Sequence, residues 1–243
     1  MITGFPIYVK IVFWKRLLNF YVCCYMTDNK SILTPSKIIK FLDYAYDKSI
    51  DGIGIPGMDT AHSLAESYLK THGTLKEQIN SLIRWQNTKS ATSGFLTGLG
   101  GVITLPVTIP ANISSILFLQ VRMVASIAIM CGQDIRDDKV RTIVYTCLAG
   151  NAAKDILKEA GIQIGQKLTT NAIRSISKEI IVKINQAVGF RLFTKTGTTG
   201  VINLSKFVPV VGGIVGGSFD AITTNIIGNY ARDTFLSLAE NDL

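Results

Sequence analysis

Apolar residues along this chain recur mostly at spacings of three and four, with polar residues between them. Ile38, Phe41, Leu42 and Ala45 are one example. Such spacing is typical of helices that turn one face toward a core. No segment shows the sustained alternation of a half-buried strand. The pattern therefore predicts an all-α protein, a single-domain helical bundle.

Signals for the start of a helix stand where this pattern requires them. Thr34 followed by Pro35 is typical of an N-cap with proline at the first helical position. Thr74 and Glu77 have the spacing of a capping box. Asp59, after the loop "DGIGIPGM", is a candidate cap for the helix that follows.

Two long apolar stretches each contain a single charged residue. Arg122 is the charge within residues 95–133, and Asp220 is the charge within residues 207–231. A charge near the centre of a lipid-spanning helix is costly, and the second stretch meets its charge before a span is complete. Neither stretch is therefore predicted to cross a bilayer.

Prolines and glycines subdivide these stretches. Pro106 and Pro110 interrupt the first one, so we predict a turn there and a helix over residues 111–130. Glycines are frequent around residues 94–121 and 207–219, where they permit close helix contacts. We predict glycine-rich apolar helical hairpins at both places, which form the core and could open toward lipid or a membrane partner.

The two opposite charges suggest a buried polar site. Buried charges need partners, so we predict that Arg122 and Asp220 meet inside the bundle. The alternative is that each lies on the solvent-facing edge of its own helix. Four amide side chains are expected near the pair, as a possible ligand pocket: Asn112, Gln120, Asn225 and Asn229.

A basic amphipathic segment follows at "QKLTTNAIRSISKEIIVKINQAV". Its isoleucines fall on one side, and Lys167, Arg174 and Lys178 fall on the other. A basic helical face suits an anionic membrane surface; the alternative is a solvated face on a core helix. The glycines in residues 189–206 predict a loop there, with a short strand at residues 201–204 as the alternative.

The N-terminal residues have a different character from the rest. In residues 1–25 the basic side chains come after an apolar start, whereas in a secretory signal they come before the apolar region. We expect residues 1–25 to be an extra or mis-assigned N-terminal segment, with an interfacial helix as the alternative. Residues 26–34 are expected to be a short polar leader, and residues 35–240 the helical domain.

Composition narrows the function classes. The formal charge of +8 favours an anionic partner, while only 17% of residues are charged, against roughly 25% in ordinary soluble domains. Two histidines and four cysteines form no metal-binding motif. No catalytic, nucleotide-binding or nucleic-acid-binding motif is present either. We expect no cofactor, no metal and no nucleic-acid partner, and no enzymatic activity.

Several blocks of the chain resemble one bacterial family. They include "IPGMDTAHSLAESYL", "LIRWQNTKSATSGFLTGLGGVITLPVTIPANI", "QVRMVASIAIMCGQDIRDDKVRT", "GNAAKDILKEAGIQIG" and "VPVVGGIVGGSFDAITTNIIG". In this order they resemble the EcsC family, over about residues 36–235. The resemblance implies a mainly helical bacterial protein. It brings no catalytic residues with it.

The family takes its name from a gene beside an ABC-transporter pair. We therefore expect a non-enzymatic, cytoplasmic protein that associates peripherally with the inner membrane. Its partner would be anionic lipid, a membrane protein such as an ABC transporter, or both. One alternative is a soluble helical module that binds an apolar ligand such as a lipid, or a protein, in a pocket near Arg122 and Asp220. A second alternative is a hydrolase.

Overall fold

Helices make up almost all regular structure in the described residues. The structure, a computed structural model, describes residues 33–54, 59–91, 109, 111–162, 169–203 and 209–241. Leu33–Leu243 form one compact unit. The described part contains no strand, which confirms the all-α prediction. Its helices are α1 (Pro35–Asp51), α2 (Ala61–Leu69), α3 (Leu75–Ala91), α4 (Ala111–Met130), α5 (Asp138–Leu148), α6 (Ala153–Glu159), α7 (Thr170–Arg174), α8 (Lys178–Asn203) and α9 (Pro209–Asn241), with a 3-10 turn at Gly150–Ala152.

The helix starts follow the local sequence closely. Thr34 caps α1, with proline directly after it. The predicted capping box at α3 is confirmed: the Thr74 amide donates to Glu77 Oε2 at 2.8 Å, and the Glu77 amide donates to Thr74 Oγ1 at 3.3 Å. At α2 the prediction was wrong by one residue, because Thr60 rather than Asp59 supplies the cap.

Helix α4 is the centre of the bundle. It begins and ends at the predicted residues, Ala111 and Met130. It packs against α1, α2, α3, α5 and α9. Residues 113–130 are the one described helical segment long and apolar enough to cross a membrane, and 83% of that segment is buried inside the protein. In this structure the apolar surface of α4 is covered by other helices of the chain.

Helices α3 and α9 pack antiparallel to each other. Asn87 pairs with Asn225 at one end, and Asn80 pairs with Arg232 at the other. Between these two contacts lies Gly228, where a Cβ atom would come within 2.9 Å of two side-chain carbons of an isoleucine of α3. Glycine at this position therefore sets how closely the two helices approach.

Two tyrosines join α5 to the N-terminal part of the bundle. The Tyr46 hydroxyl donates to the backbone carbonyl of Ile135 at 2.7 Å, and the Tyr145 hydroxyl donates to Asp43 Oδ1 at 2.8 Å. The two rings meet edge to face with centroids 5.7 Å apart. Both side chains are buried, so these hydroxyls satisfy polar groups inside the core.

The loop predicted for residues 189–206 was wrong as far as the structure describes it, because α8 continues as a helix to Asn203. Glycine in a helix costs only about 1 kcal/mol, and burial of Val188 and Leu192 offsets that cost. Gly189 also has a packing role. A Cβ atom there would lie 2.9 Å from the backbone oxygen of Pro35, so glycine lets α8 approach α1.

Several predictions fall outside the described residues. Residues 1–25 and most of 26–34 are among them. The predicted hairpins at 94–121 and 207–219 include residues 94–108, 110 and 207–208, which also lie outside the described part. The described sections of these stretches belong to α4 and α9.

Candidate functional site

Arg122 is the most unusual residue of the core. It lies in the middle of α4, is 1% exposed, and is among the largest fully buried side chains of the described residues. Its neighbours Val121 and Met123 are fully buried as well. Because helices surround α4, Arg122 has no solvent-facing edge, and the surface alternative predicted for this residue was wrong.

The Arg122 guanidinium is only partly satisfied. Its Nη1 donates to the backbone carbonyl of Asp59, which directly precedes the cap of α2, at 3.0 Å. Nε and Nη2 have no hydrogen-bond partner among the described residues. One turn later, Ser126 Oγ bonds to the carbonyls of Ala61 and Arg122, at 3.0 and 2.8 Å. These contacts hold the middle of α4 against the start of α2.

Two charged side chains, Lys89 and Asp59, interact electrostatically with the Arg122 guanidinium in the described part of the chain. Burial lowers the pKa of Arg122 to about 10, and the Asp59 carboxylate opposes that shift. Burial also lowers the pKa of Lys89 on α3, the positive charge of Arg122 lowers it further, and Asp59 opposes both effects. The ε-ammonium of Lys89 lies 5.7 Å from the centre of the Trp85 ring. Two cations and one carboxylate are therefore within electrostatic range of one another.

The predicted direct pair between Arg122 and Asp220 does not form. The Arg122 side chain bonds to Asp59 instead, and Asp220 is half-buried on α9. The residue of α4 that does contact α9 here is Gln120, whose Nε2 donates to Thr224 Oγ1 at 3.1 Å. Residues two apart on a helix point roughly 200° away from each other. Since Gln120 faces α9, Arg122 faces away from it, toward α2.

The other predicted pocket residues do not gather around Arg122. Asn225 Oδ1 accepts from Asn87 Nδ2 at 3.0 Å, on the exposed side of the α3–α9 contact. Asn229 Oδ1 accepts from Arg232 Nη1 at 2.8 Å. The side chain of Asn112 lies outside the described residues. The structure thus separates the predicted cluster into Arg122 at α2, Gln120 at α9, and two asparagines between α3 and α9.

A buried polar residue that the sequence interpretation missed lies on α3. Gln86 is fully buried, and both atoms of its side-chain amide lack a hydrogen-bond partner among the described residues. The sequence does indicate that Gln86 is buried, because this residue follows Ile79, Leu82 and Ile83 by seven, four and three residues. That spacing puts it on the apolar face of the helix.

The predicted basic face is exposed where the structure describes it. Arg174 and Lys178 lie at the surface, in α7 and at the start of α8, while Lys167 is outside the described residues. Two large apolar side chains on α8 are also exposed, Val182 at 54% and Phe190 at 58%. The sequence interpretation missed Phe190, because its segment was assigned to a loop.

These exposed side chains share one side of α8. At 3.6 residues per turn, Lys178, Val182, Lys183 and Phe190 span an arc of roughly 140°. We call these four residues, together with Arg174, the α8 face. Glu179 lies within the same arc and bonds to Ser177 Oγ at 2.6 Å. The arc therefore presents two lysines and two large apolar side chains to solvent.

Groups that could support metal or thiol chemistry are few. Within the described ranges, no group of three or more His, Cys, Asp or Glu side chains could hold a metal ion. Cys131 and Cys147 are free and buried, and burial raises the pKa of both thiols, to about 12 for Cys131. Both thiols are therefore protonated at neutral pH, which makes them weak nucleophiles.

Comparison with known proteins gives one family and one relative. The family model of the EcsC protein family matches residues 25–236. Over 142 residues the chain is 29% identical to the Uncharacterized protein YdbA of Bacillus subtilis (strain 168). That alignment covers 58% of this chain and 49% of the relative, so the chain spans about half the length of the curated relative it matches. No solved structure gave a significant match.

Proposed function

We propose, from the premise that this chain belongs to the EcsC protein family, that it is a peripheral protein which docks on an anionic membrane surface through the α8 face. The observation that carries this proposal is the combination of exposed cations with exposed Val182 and Phe190 on one arc of a helix. Amphipathic helices that bind at lipid interfaces combine these two features.

The positive charge of the α8 face favours an anionic partner. Arg174, Lys178 and Lys183 are exposed cations, whereas the arc carries one acidic residue, Glu179. Arg191 is also exposed, but it borders a groove that is also lined by the acidic residue Asp155. An anionic lipid surface attracts Lys and Arg side chains and accepts an aromatic ring at headgroup depth.

The expected strength is that of a reversible contact. Each basic side chain near an anionic leaflet contributes about 1 kcal/mol. Full burial of a side chain such as Phe or Val contributes about 1.5–3 kcal/mol, and the two here are already about half covered, so roughly half of that remains. The total corresponds to a weak affinity, in about the millimolar to high micromolar range. It suits peripheral association on the cytoplasmic side.

Flotation of the full chain with protein-free vesicles tests the proposal. Vesicles containing phosphatidylglycerol are compared with phosphatidylcholine vesicles at about 0.1 M and about 1 M salt, where the Debye length falls from about 10 Å to about 3 Å. We expect binding to the anionic vesicles alone, and loss of that binding at high salt. A protein that stays soluble with both vesicle types would refute the proposal. Binding only to membranes that contain an ABC transporter would assign the face to a protein partner.

Matched variants locate the contact. Lys178→Gln with Lys183→Gln removes two charges from the α8 face. Lys154→Gln with Lys158→Gln removes two exposed charges from α6 and serves as the control. We expect the first pair to weaken vesicle binding several-fold and the control pair to leave it nearly unchanged. Equal losses would show that net charge, rather than the α8 face, attracts the protein.

A further inference from the structure

The free edge of the Arg122 guanidinium is organised as an anion receptor. In an arginine, Nε–H and one terminal nitrogen point the same way and form the edge that takes a carboxylate or phosphate through two parallel hydrogen bonds. Nη1 of Arg122 is already occupied by the Asp59 carbonyl, and the two nitrogens without a partner are Nε and Nη2. These two nitrogens are the pair that forms the bidentate edge.

No carboxylate of the described residues fills this edge. Nε and Nη2 have no partner among the described residues. The two segments next to the site in sequence, 55–58 and 92–108, contain no Asp or Glu. Buried donors with no partner are rare in folded proteins, and a bound ion is one way in which such donors are satisfied. An oxyanion from outside the chain is an acceptor that would complete this edge.

The charges near the Arg122 guanidinium favour the binding of an anion. Burial lowers the pKa of the Lys89 ammonium, the positive charge of Arg122 lowers it further, and the Asp59 carboxylate opposes both effects. The Arg122 guanidinium and the Lys89 ammonium are therefore close enough to repel each other in a poorly solvated part of the protein. A bound oxyanion would attract both cations and complete the hydrogen bonding of the guanidinium.

The site lies close to solvent although the arginine itself is buried. Nη1 is 3.0 Å from the backbone oxygen of Asp59, which is an exposed residue, and Lys89 is half-buried. On the same face of α4, the apolar residues three and four positions away, Phe118, Leu119 and Ala125, are buried. This environment suits a small oxyanion or the acidic head of an apolar molecule.

We infer that Arg122, with Lys89 beside it, forms a site for an oxyanion, a carboxylate or a phosphate, bound through Nε and Nη2. The site is separate from the α8 face and does not depend on the proposed membrane contact. The same chemistry is offered by inorganic phosphate, by a fatty-acid carboxylate and by a lipid phosphate. These three are sources of one ligand group and can be distinguished by titration.

Calorimetric titration of the full chain tests the inference. The probes are inorganic phosphate, decanoate and short-chain phosphatidic acid, with decanol as the uncharged control. We expect at least one oxyanion to bind with one-to-one stoichiometry, and decanol to bind more weakly than decanoate. Arg122→Lys should weaken that binding about tenfold or more, because a single ammonium cannot reproduce a two-point contact. Lys178→Gln with Lys183→Gln should leave it unchanged.

A second readout covers the case in which Arg122 variants do not fold. In wild-type protein labelled with 15N at arginine, the Nε resonance of a buried arginine should shift when the bound oxyanion is added. Absence of both heat and any Nε shift with all three oxyanions would overturn the inference. Equal binding of decanol and decanoate, or undiminished binding by Arg122→Lys, would do the same.

Discussion

Replacing Arg122 by methionine should make the ligand-free protein no less stable, although it removes a fully buried residue from the core. Most changes at such positions destabilise a protein. This one removes a buried cation that has a single hydrogen bond and two unpartnered nitrogens among the described residues. Exchange of a poorly paired buried charge for an apolar side chain of similar length is often neutral or stabilising.

The size of the effect follows from the ionisation of Arg122. Burial lowers its pKa from the ordinary value of an arginine to about 10, which at about 1.36 kcal/mol per unit opposes folding by about 3 kcal/mol at pH 7. Because the folded pKa is the lower one, this penalty is present in full below about pH 10 and disappears as the pH rises from there toward the pKa of the unfolded chain. Methionine loses the bond to the Asp59 carbonyl, about 1 kcal/mol, and some packing, about 1 kcal/mol more. The net change is a gain of about 1 kcal/mol.

Urea unfolding at neutral pH, in a buffer free of carboxylates and phosphate, measures this difference. A gain of about 1 kcal/mol should raise the urea midpoint, and in thermal unfolding it corresponds to a rise of about 2–4 °C in Tm for a chain of this size. Addition of the bound oxyanion should reverse the order, because at a hundred times Kd it stabilises only the wild type, by about 2.7 kcal/mol. A loss of more than about 2 kcal/mol in the ligand-free variant would contradict the reasoning, since it would show that the guanidinium has stabilising partners of its own.

Three further changes test the packing and the caps by the same unfolding measurement. Gly228→Ala should destabilise the protein, because its Cβ would lie 2.9 Å from two side-chain carbons of Ile83. Overpacking of this kind costs about 1–3 kcal/mol, which should exceed the gain of about 1 kcal/mol from the better helix propensity of alanine. Thr74→Ala should cost about 1 kcal/mol of cap stabilisation. The Thr74 amide, which lowers the pKa of Glu77 most, stays in place, but the hydroxyl no longer donates to that carboxylate, so the pKa of Glu77 should rise part of the way toward its usual value. Tyr46→Phe should cost about 1–3 kcal/mol, because a buried carbonyl loses a donor 2.7 Å away.

Each of these three has a result that would contradict it. A more stable Gly228→Ala protein would mean that α3 and α9 can separate without loss. An unchanged titration of Glu77, followed by NMR, would mean that the Thr74 hydroxyl does not hold this carboxylate. A Tyr46→Phe protein as stable as the wild type would mean that solvent or another donor reaches the carbonyl. Tyr44→Phe, at a half-buried tyrosine on the same helix, is the matched control for this last change.

Local signals explain why much of the fold was predictable. In the sequence, Pro106 and Pro110 marked the place after which α4 begins. The cap at Thr34 and the capping box at Thr74 act within one helical turn, so they can be recognised in the sequence without knowledge of distant contacts. Apolar spacing of three and four residues likewise indicates which side of a helix is buried.

The loop predicted after Gly189 failed because the deciding interaction is not local. Glycine lowers helix propensity whatever its context. Here it also allows contact with the backbone of Pro35, more than a hundred residues earlier in the chain. The low helix propensity of glycine can be read from the sequence, whereas the contact with Pro35 cannot. The exposed Phe190 was overlooked for the same reason, since only a continuous helix puts it on one arc with Lys178.

The partner of Arg122 was unpredictable for a geometric reason. Opposite charges in two apolar stretches suggested a pair, but pairing depends on how each helix is rotated about its axis. Gln120 and Arg122 are two residues apart, and α4 is rotated so that Gln120 meets Thr224 on α9. That rotation directs Arg122 to a backbone carbonyl at the start of α2. Asp220 was the matching acid in the sequence pattern, but it is not the neighbour of Arg122 in space.

This geometry also makes the two proposed binding sites independent of each other. The α8 face belongs to a helix that packs on α1, α5 and α6. The free edge of Arg122 belongs to α4, and its contacts run to the start of α2 and to the charge of Lys89 on α3. No described contact of Arg122 passes through α8. Charge removal at Lys178 and Lys183 should therefore change vesicle binding without changing oxyanion binding, and Arg122→Lys should do the reverse. If either variant changed both, the two sites would have to be one.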